Sequence, residues 1–328
     1  MANPSANVGT HTTLKGVQDI GRAQFKESIE SNLVEFFKWG CLGIGAFYNF
    51  NFPASGAYGG TFTTLRLSED PNYTKGQVWE GPRTDWVWES GVQYGTQPIE
   101  VSGVYVDGVF YANGAMVPDG GNFHINYPLG RIIFDNPIAS TSHVECEYSV
   151  RSWQFTPASV PWWREVQYNS MRVDDFQYLQ YGSGVWNVLG ENRVQLPHVI
   201  VDCTPRQSYI PLGLGQGTRV NQEVIFHILG EVPYDTKAMS DIVVSQRDKT
   251  IYLFDKNQIA DAEAYPLNQD GSIADGAKCY PDLVAPSGDG GYFWVKGTIL
   301  EMSSDSVSNS PPLYQACVRA TVQVDMPW

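Results

Sequence analysis

The sequence predicts an α+β fold in which strands outnumber helices. Three observations lead there. One stretch near the N-terminus has strong helical periodicity, the segment 98–156 holds short runs of period-2 alternation, and 191–328 sets several strand-like runs around one short amphipathic helix. The composition agrees: 32 Gly and 20 Pro in 328 residues imply many turns, and 13% aromatic residues are far too many for a disordered chain.

Residues 1–13 are small and polar and read as a flexible arm, which with the helix after it makes a first unit, 1–45. In that helix Ile20, Phe25, Ile29, Leu33, Phe36 and Phe37 recur on one face, and Gly40, Gly43 and Gly45 end it. Residues 46–97 read as Gly- and aromatic-rich loops. Within them Trp86 and Trp88 alternate with Asp85, Val87 and Glu89, which would set both rings on one side of a strand. With Trp79 they form either a stacking surface for sugars, an assembly surface, or a buried anchor for the loops.

Residues 98–156 read as a small β-sandwich-like module. Asp107-Gly108 sits between Val104, Val106 and Val109 as a two-residue hairpin signal. Val144, Cys146, Tyr148 and Val150 alternate with His143, Glu145, Glu147 and Ser149, the pattern of a half-buried strand. Residues 157–190 form a connector, with Trp162, Trp163, Val166, Tyr168 and Met171 on a short helix behind Pro161 and a Gly-Ser-Gly turn at 182–184. The α+β domain at 191–328 comprises RVQLPHVIVDCTP and NQEVIFHILGEV as strands, a helix with Ala238, Met239, Ile242 and Val243 inward, and three further strands. Two Asp-Gly turns lie between them, at 270–271 and 275–276.

No motif announces catalysis, a cofactor or a metal. His11, His124, His143, His198 and His227 form no H-E-x-x-H or H-x-H, and His227 in VIFHILG reads as a satisfied strand residue. Cys41, Cys146, Cys203, Cys279 and Cys317 lack any C-x-x-C and read as free, mostly buried thiols. Ser183 in YGSGVW lacks the spacing of a nucleophile elbow. Gly213, Gly215 and Gly217 lead into a strand, whereas a phosphate loop leads into a helix. The Asp174-Asp175 pair reads as a solvated face. A net charge of −14 excludes binding nucleic acid over a broad basic surface. The longest mainly apolar stretch, Trp39 to Phe52, is too short and broken to span a bilayer, so no membrane partner is expected. The N-terminal stretch shows no secretory pattern, and the expectation is a chain made in a reducing cytoplasm.

Three stretches carry a resemblance. GVYVDGVFY…NFHINYPLGRIIFDNPI…VECEYSVRSW at 103–153 looks like the β modules inserted in phage structural proteins. RVQLPHVIVDCTP…NQEVIFHILGE at 193–231 and AMSDIVVSQRDKTIYLFD at 238–255 share the strand–strand–helix–strand order of tail-terminator and related neck proteins. The chain thus resembles virion structural proteins of tailed bacteriophages, especially neck and tail proteins of T4-like phages of marine bacteria. Small terminators lack the roughly 190 residues that precede this domain here. The resemblance implies an assembly protein of the virion neck or upper tail, made in the host cytoplasm, and no enzyme. It implies a homo-oligomeric ring, typically sixfold or twelvefold, with 191–328 as its terminator-like domain. The partners it implies are further copies of the chain and other neck or tail proteins, with DNA only passing through a channel. A receptor- or carbohydrate-binding tail part using the Trp-rich surface is the alternative. Trp79, Trp86, Trp88, Trp162 and Trp163 are the candidate interface or stacking residues.

Overall fold

The computed structural model describes residues 21–51, 62–88, 92–163, 179–180, 186–189, 192–212, 218–254, 279–284, 293–310 and 313–326. The expected arm at 1–13, His11, Ile20, Glu89, Val166, Tyr168, Met171, Asp174, Asp175, the turn at 182–184, Gly213, Gly215, Gly217 and the Asp-Gly turns at 270–271 and 275–276 lie outside these residues. Helix and strand are mixed, with several antiparallel sheets and an N-terminal helix, as the α+β class requires.

The N-terminal helix is α1 (Gly21–Gly43). Phe25, Ile29, Leu33, Phe37 and Cys41 recur every fourth residue and are all buried, so they form one continuous stripe. Asn32 is fully buried beside them and donates from Nδ2 to the Ser28 carbonyl at 2.8 Å, which spares an unpaired amide in the core. Beyond the helix Gly45 takes φ +84°, and its N–H donates to the Leu42 carbonyl at 2.9 Å.

Nine short strands follow: β1 (Phe47–Phe50), β2 (Arg66–Leu67), β3 (Val78–Glu80), β4 (Gly103–Val106), β5 (Val109–Ala112), β6 (Phe123–Asn126), β7 (Arg131–Phe134), β8 (Val144–Glu145) and β9 (Tyr148–Arg151). They build a β1-β9 pair, a β2-β3-β7-β6 sheet and a β5-β4-β8 sheet around one core. The segment expected to be loops, 46–97, therefore supplies three strands to the same module. The Asp107-Gly108 turn is present, with both residues at positive φ (51° and 82°) and Val106 paired with Val109. Val144, Cys146, Tyr148 and Val150 are all fully buried, as their alternation predicts. Ser149, on the opposite face, is buried too, because loop residue Ile99 donates its N–H to Ser149 Oγ at 2.6 Å.

The chain then enters a six-stranded sheet. Its members are β10 (Gln154–Pro157), β14 (His198–Pro211), β15 (Thr218–Gly230), β16 (Thr250–Phe254), β17 (Phe293–Ser310) and β18 (Leu313–Met326), in the spatial order β10-β14-β15-β18-β17-β16. Only β10 and β14 run parallel. The segment between them includes β11 (Leu179–Gln180), β12 (Trp186–Leu189) and β13 (Asn192–Gln195), which pair with one another. Helix α2 (Pro233–Val244) follows β15, with Pro at its first turn and Met239 and Val243 buried. The order β14-β15-α2-β16 thus realises the expected strand–strand–helix–strand run. Helix α3 (Tyr280–Val284) is a single short turn beside β16.

Alternation sorts the two faces of this sheet. Val220, Gln222, Val224, Phe226 and Ile228 on β15 and Ala316, Val318, Ala320, Val322 and Val324 on β18 point to one side and are all buried. On that side α1 and α2 complete the core. Helix α1 touches β10 and β16, the two outer strands, as well as β14, while α2 packs on β15, β17 and β18. A 23-residue helix is about 34 Å long and five strand spacings about 24 Å, so one oblique helix reaches both edges. The N-terminal helix and the C-terminal strands therefore share one core.

The β module is an insertion between α1 and β10, and its two stems meet. The Ser152 N–H donates to the Ala46 carbonyl at 2.9 Å. Arg151 donates to the Lys38 carbonyl at 2.9 Å and stands 3.4 Å from the Asp85 carboxylate. Further along the seam the Thr84 N–H donates to Gln195 Oε1 at 3.0 Å, and Arg83 donates to the Leu196 carbonyl at 3.3 Å.

Candidate functional site

The five tryptophans expected at a stacking or assembly surface fall into two groups. Trp86 is 0% exposed and Trp79 4%, both inside the core of the β module. The Trp86 ring stacks on Tyr148 at 4.1 Å, and its Nε1 donates to the Arg83 carbonyl at 2.9 Å. Trp79 Nε1 donates to the Gly76 carbonyl at 3.1 Å. Trp88 packs on the same core from outside and meets Trp39 edge-on at 5.8 Å. No strand runs through 85–88: Asp85 sits at φ +58° and only Trp86 makes a lone bridge. Sugar stacking needs a free ring face, so the platform expectation for Trp79 and Trp86 is corrected to core packing.

Trp162 and Trp163 come instead to the face of the large sheet away from α1 and α2. There they cover Ile200, Leu229, Val194 and Leu196. Trp162 meets His198 edge-on at 5.0 Å, and Trp163 lies 4.8 Å from the ring of His227. The two histidines are close on neighbouring strands, because Leu229 pairs with His198 and His227 pairs with Ile200.

Their environments differ sharply. His198 is buried, with Nδ1 at 3.2 Å from the Gln195 carbonyl and Nε2 at 2.9 Å from Thr156 Oγ1. A neutral imidazole satisfies both contacts, donating from Nδ1 and accepting at Nε2. Burial holds its pKa down to about 4, against the opposing pull of the Gln195 carbonyl. His227 is less enclosed. Burial alone would lower its pKa too, but Asp202 and Cys317 outweigh burial and raise it to about 9.

His227 lies between these two groups. Cys317 Sγ is 3.6 Å from Nδ1, and an Asp202 oxygen is 3.7 Å from Nε2. The second contact is an ion-pair distance rather than a hydrogen bond, and Nε2 is buried with no hydrogen-bond partner. The expectation of a satisfied strand histidine is corrected accordingly. The trio arises from register: His227 pairs with Cys317 on β18, and Asp202 follows Ile200 by two residues on β14. Thiol and carboxylate approach opposite nitrogens, so one metal ion cannot be held by all three. Among the described residues no group of three or more His, Cys, Asp or Glu is arranged to hold a metal. None of the five cysteines is in a disulfide. Sequence reading missed the trio; the signals were a lone His in an apolar strand, an Asp ending VIVD and a Cys in ACVRA.

Two other surface features stand out. A cleft of roughly 380 Å³ opens where the β module meets the large sheet, with Tyr48, Phe50, Phe62, Arg83, Glu231 and Asp235 among its walls. Burial and the neighbouring Glu231 raise the Asp235 carboxyl above its usual range. The β4–β5 hairpin and the segment just after it are apolar and open. Val109 is 53% exposed, Phe110 45% and Met116 71%, and β5 is the outer strand of its sheet. Comparison with known protein families and with curated proteins finds no match to the chain.

Proposed function

We propose that the chain is a structural component of a tailed-bacteriophage virion, a ring-forming protein of the neck or upper tail that joins head and tail. The observation that carries this reading is the open apolar edge at β5. An outer strand with unpaired backbone groups and apolar side chains on both faces is a poor surface for a monomer and a good one for a neighbouring chain. A second apolar surface lies on the other module, where Tyr209 and Ile210 on the β14–β15 hairpin are 39% and 48% exposed. Head-to-tail rings need two unlike surfaces on each protomer, and this chain offers them. The strand–strand–helix–strand order supports the same reading. The net charge of −14 suits a channel that DNA traverses without adhering, since negative walls repel phosphate.

The test is the native mass of the purified protein by light scattering after size exclusion, at two concentrations. A sixfold or twelvefold multiple of 36.5 kDa is the expected result. A monomer at both concentrations that also ignores purified tails would overturn the reading.

A further inference from the structure

We propose that Cys317, His227 and Asp202 form a thiol–imidazole–carboxylate relay that makes Cys317 a thiol-exchange site for small disulfides. The argument starts from position. Cys317 and His227 are register partners on adjacent strands, on the sheet face that α1 and α2 leave uncovered. Their side chains meet at 3.6 Å, and Asp202 stands 3.7 Å behind the imidazole. His227 already carries its proton at neutral pH, so Nδ1 turns an N–H towards the sulfur, and the imidazolium, balanced by the Asp202 carboxylate at Nε2, stabilises the thiolate formed when the thiol proton leaves to water. The imidazolium persists to about pH 9 in this setting.

Among the described residues, few other charged groups lie near the pair. His198 lies on β14 and is neutral at ordinary pH, Glu223 and Arg319 occupy the same face two or more residues away, and Asp305 is the register partner of Cys317 on β17. Trp163 shields one side of the imidazole. Asp202 remains 31% exposed and His227 18%, and Cys317 is half-buried, so the described residues do not seal the trio off. Three of the other four thiols are held in the protonated form. Burial pushes Cys41 up to about 12, and it raises Cys146 and Cys203 well above the ordinary thiol range.

The backbone decides what kind of chemistry is open. Cys317 lies within ladders to both β15 and β17, so the neighbouring amides are engaged in strand pairing. Among the described residues the amides beside Cys317 are thus not offered to an oxyanion, which acyl transfer would need. Disulfide exchange needs none. The Cys317 thiolate attacks one sulfur of the disulfide, a new S–S bond forms and the old one breaks. The departing thiolate takes the proton from Nδ1 and leaves as a thiol. The Cys317 sulfur is oxidised and the departing sulfur reduced, so no other oxidant is required.

The experiment exposes the folded protein to oxidised glutathione at neutral pH and follows each cysteine by peptide mass spectrometry. Cys317 is expected to be capped first, roughly tenfold or more faster than half-buried Cys279. His227→Gln should bring its rate down to that of Cys279. Asp202→Asn keeps the shape of the site and should slow capping less, while moving the alkaline limit of the fast reaction to lower pH. Equal rates at Cys317 and Cys279 in the unmodified protein would overturn the proposal. So would an unchanged Cys317 rate in His227→Gln with native circular dichroism. If that variant does not fold, Asp202→Asn decides, and a pH profile identical to the parent's would sink the relay.

Discussion

The two histidines on the face of the large sheet away from α1 and α2 should give the protein a stability maximum near pH 6.5. An ordinary histidine titrates at 6.5, and the fold moves His198 down to about 4 and His227 up to about 9. For His198 the unfolded chain binds a proton that the folded chain refuses between those values. Stability is whole above 6.5 and is lost as pH falls towards 4. For His227 the sign reverses. The folded chain holds a proton that the unfolded chain has lost, so stability is whole below 6.5 and is lost as pH rises through about 9. At 1.36 kcal/mol per pH unit each limb is worth about 3 kcal/mol, with the His227 limb an upper bound because Asp202 is beyond hydrogen-bond distance. Glu30, whose carboxyl burial holds up, opposes part of the acid limb. The limbs are therefore read as differences between the parent and single variants. Urea unfolding midpoints across this range are the assay. His198→Gln should flatten the acid side alone and His227→Gln the alkaline side alone. A midpoint that climbs or falls steadily through pH 6.5, or one limb lost in both variants, would refute the reasoning.

Trp86→Ala should cost about 3 to 5 kcal/mol, since it deletes a fully buried ring stacked on Tyr148, and thermal melting would register it. Gly76 sits at φ +96° and an added Cβ would lie 2.2 Å from the Ile138 carbonyl oxygen, so Gly76→Ala should cost at least about 1 to 3 kcal/mol. An unchanged denaturation midpoint would contradict that contact. Val109→Lys places a charge on the open edge of β5, where Val109 is 53% exposed. The native mass should fall to 36.5 kDa while the melting temperature stays put.

Much of the architecture is legible in local pattern. The stripe from Phe25 to Cys41, the Asp107-Gly108 hairpin and the alternation from Val144 to Val150 are each set by neighbours in sequence. The strands at 47–50, 66–67 and 78–80 are not, because two to four residues hold too little alternation to stand out from the surrounding aromatics. The second half of β17, SSDSVSNS, has no strand signature at all, and it is extended because β18 offers a continuous partner. The same holds for the site. Asp202, His227 and Cys317 come from three separate segments, with 90 residues between the imidazole and the sulfur. Strand register brings them together, and register is a property of the assembled sheet. The tryptophans at 79 and 86 were legible as important, but which way their rings face depends on how the segment 62–88 folds back onto β7 and β9.

The single hydrogen bond between Ala46 and Ser152 has a consequence for how this chain is put together. The β module departs from and returns to nearly the same point, so the helix and the large sheet experience it as a short loop. Ordering a loop costs little more as it lengthens, since each doubling adds only about 0.6 kcal/mol. A graft that joins 46 to 152 through a few residues would leave the main core of α1, α2 and the large sheet intact. A different module could be set on the same stem. The scaffold and the part it carries outward are free to change at different rates.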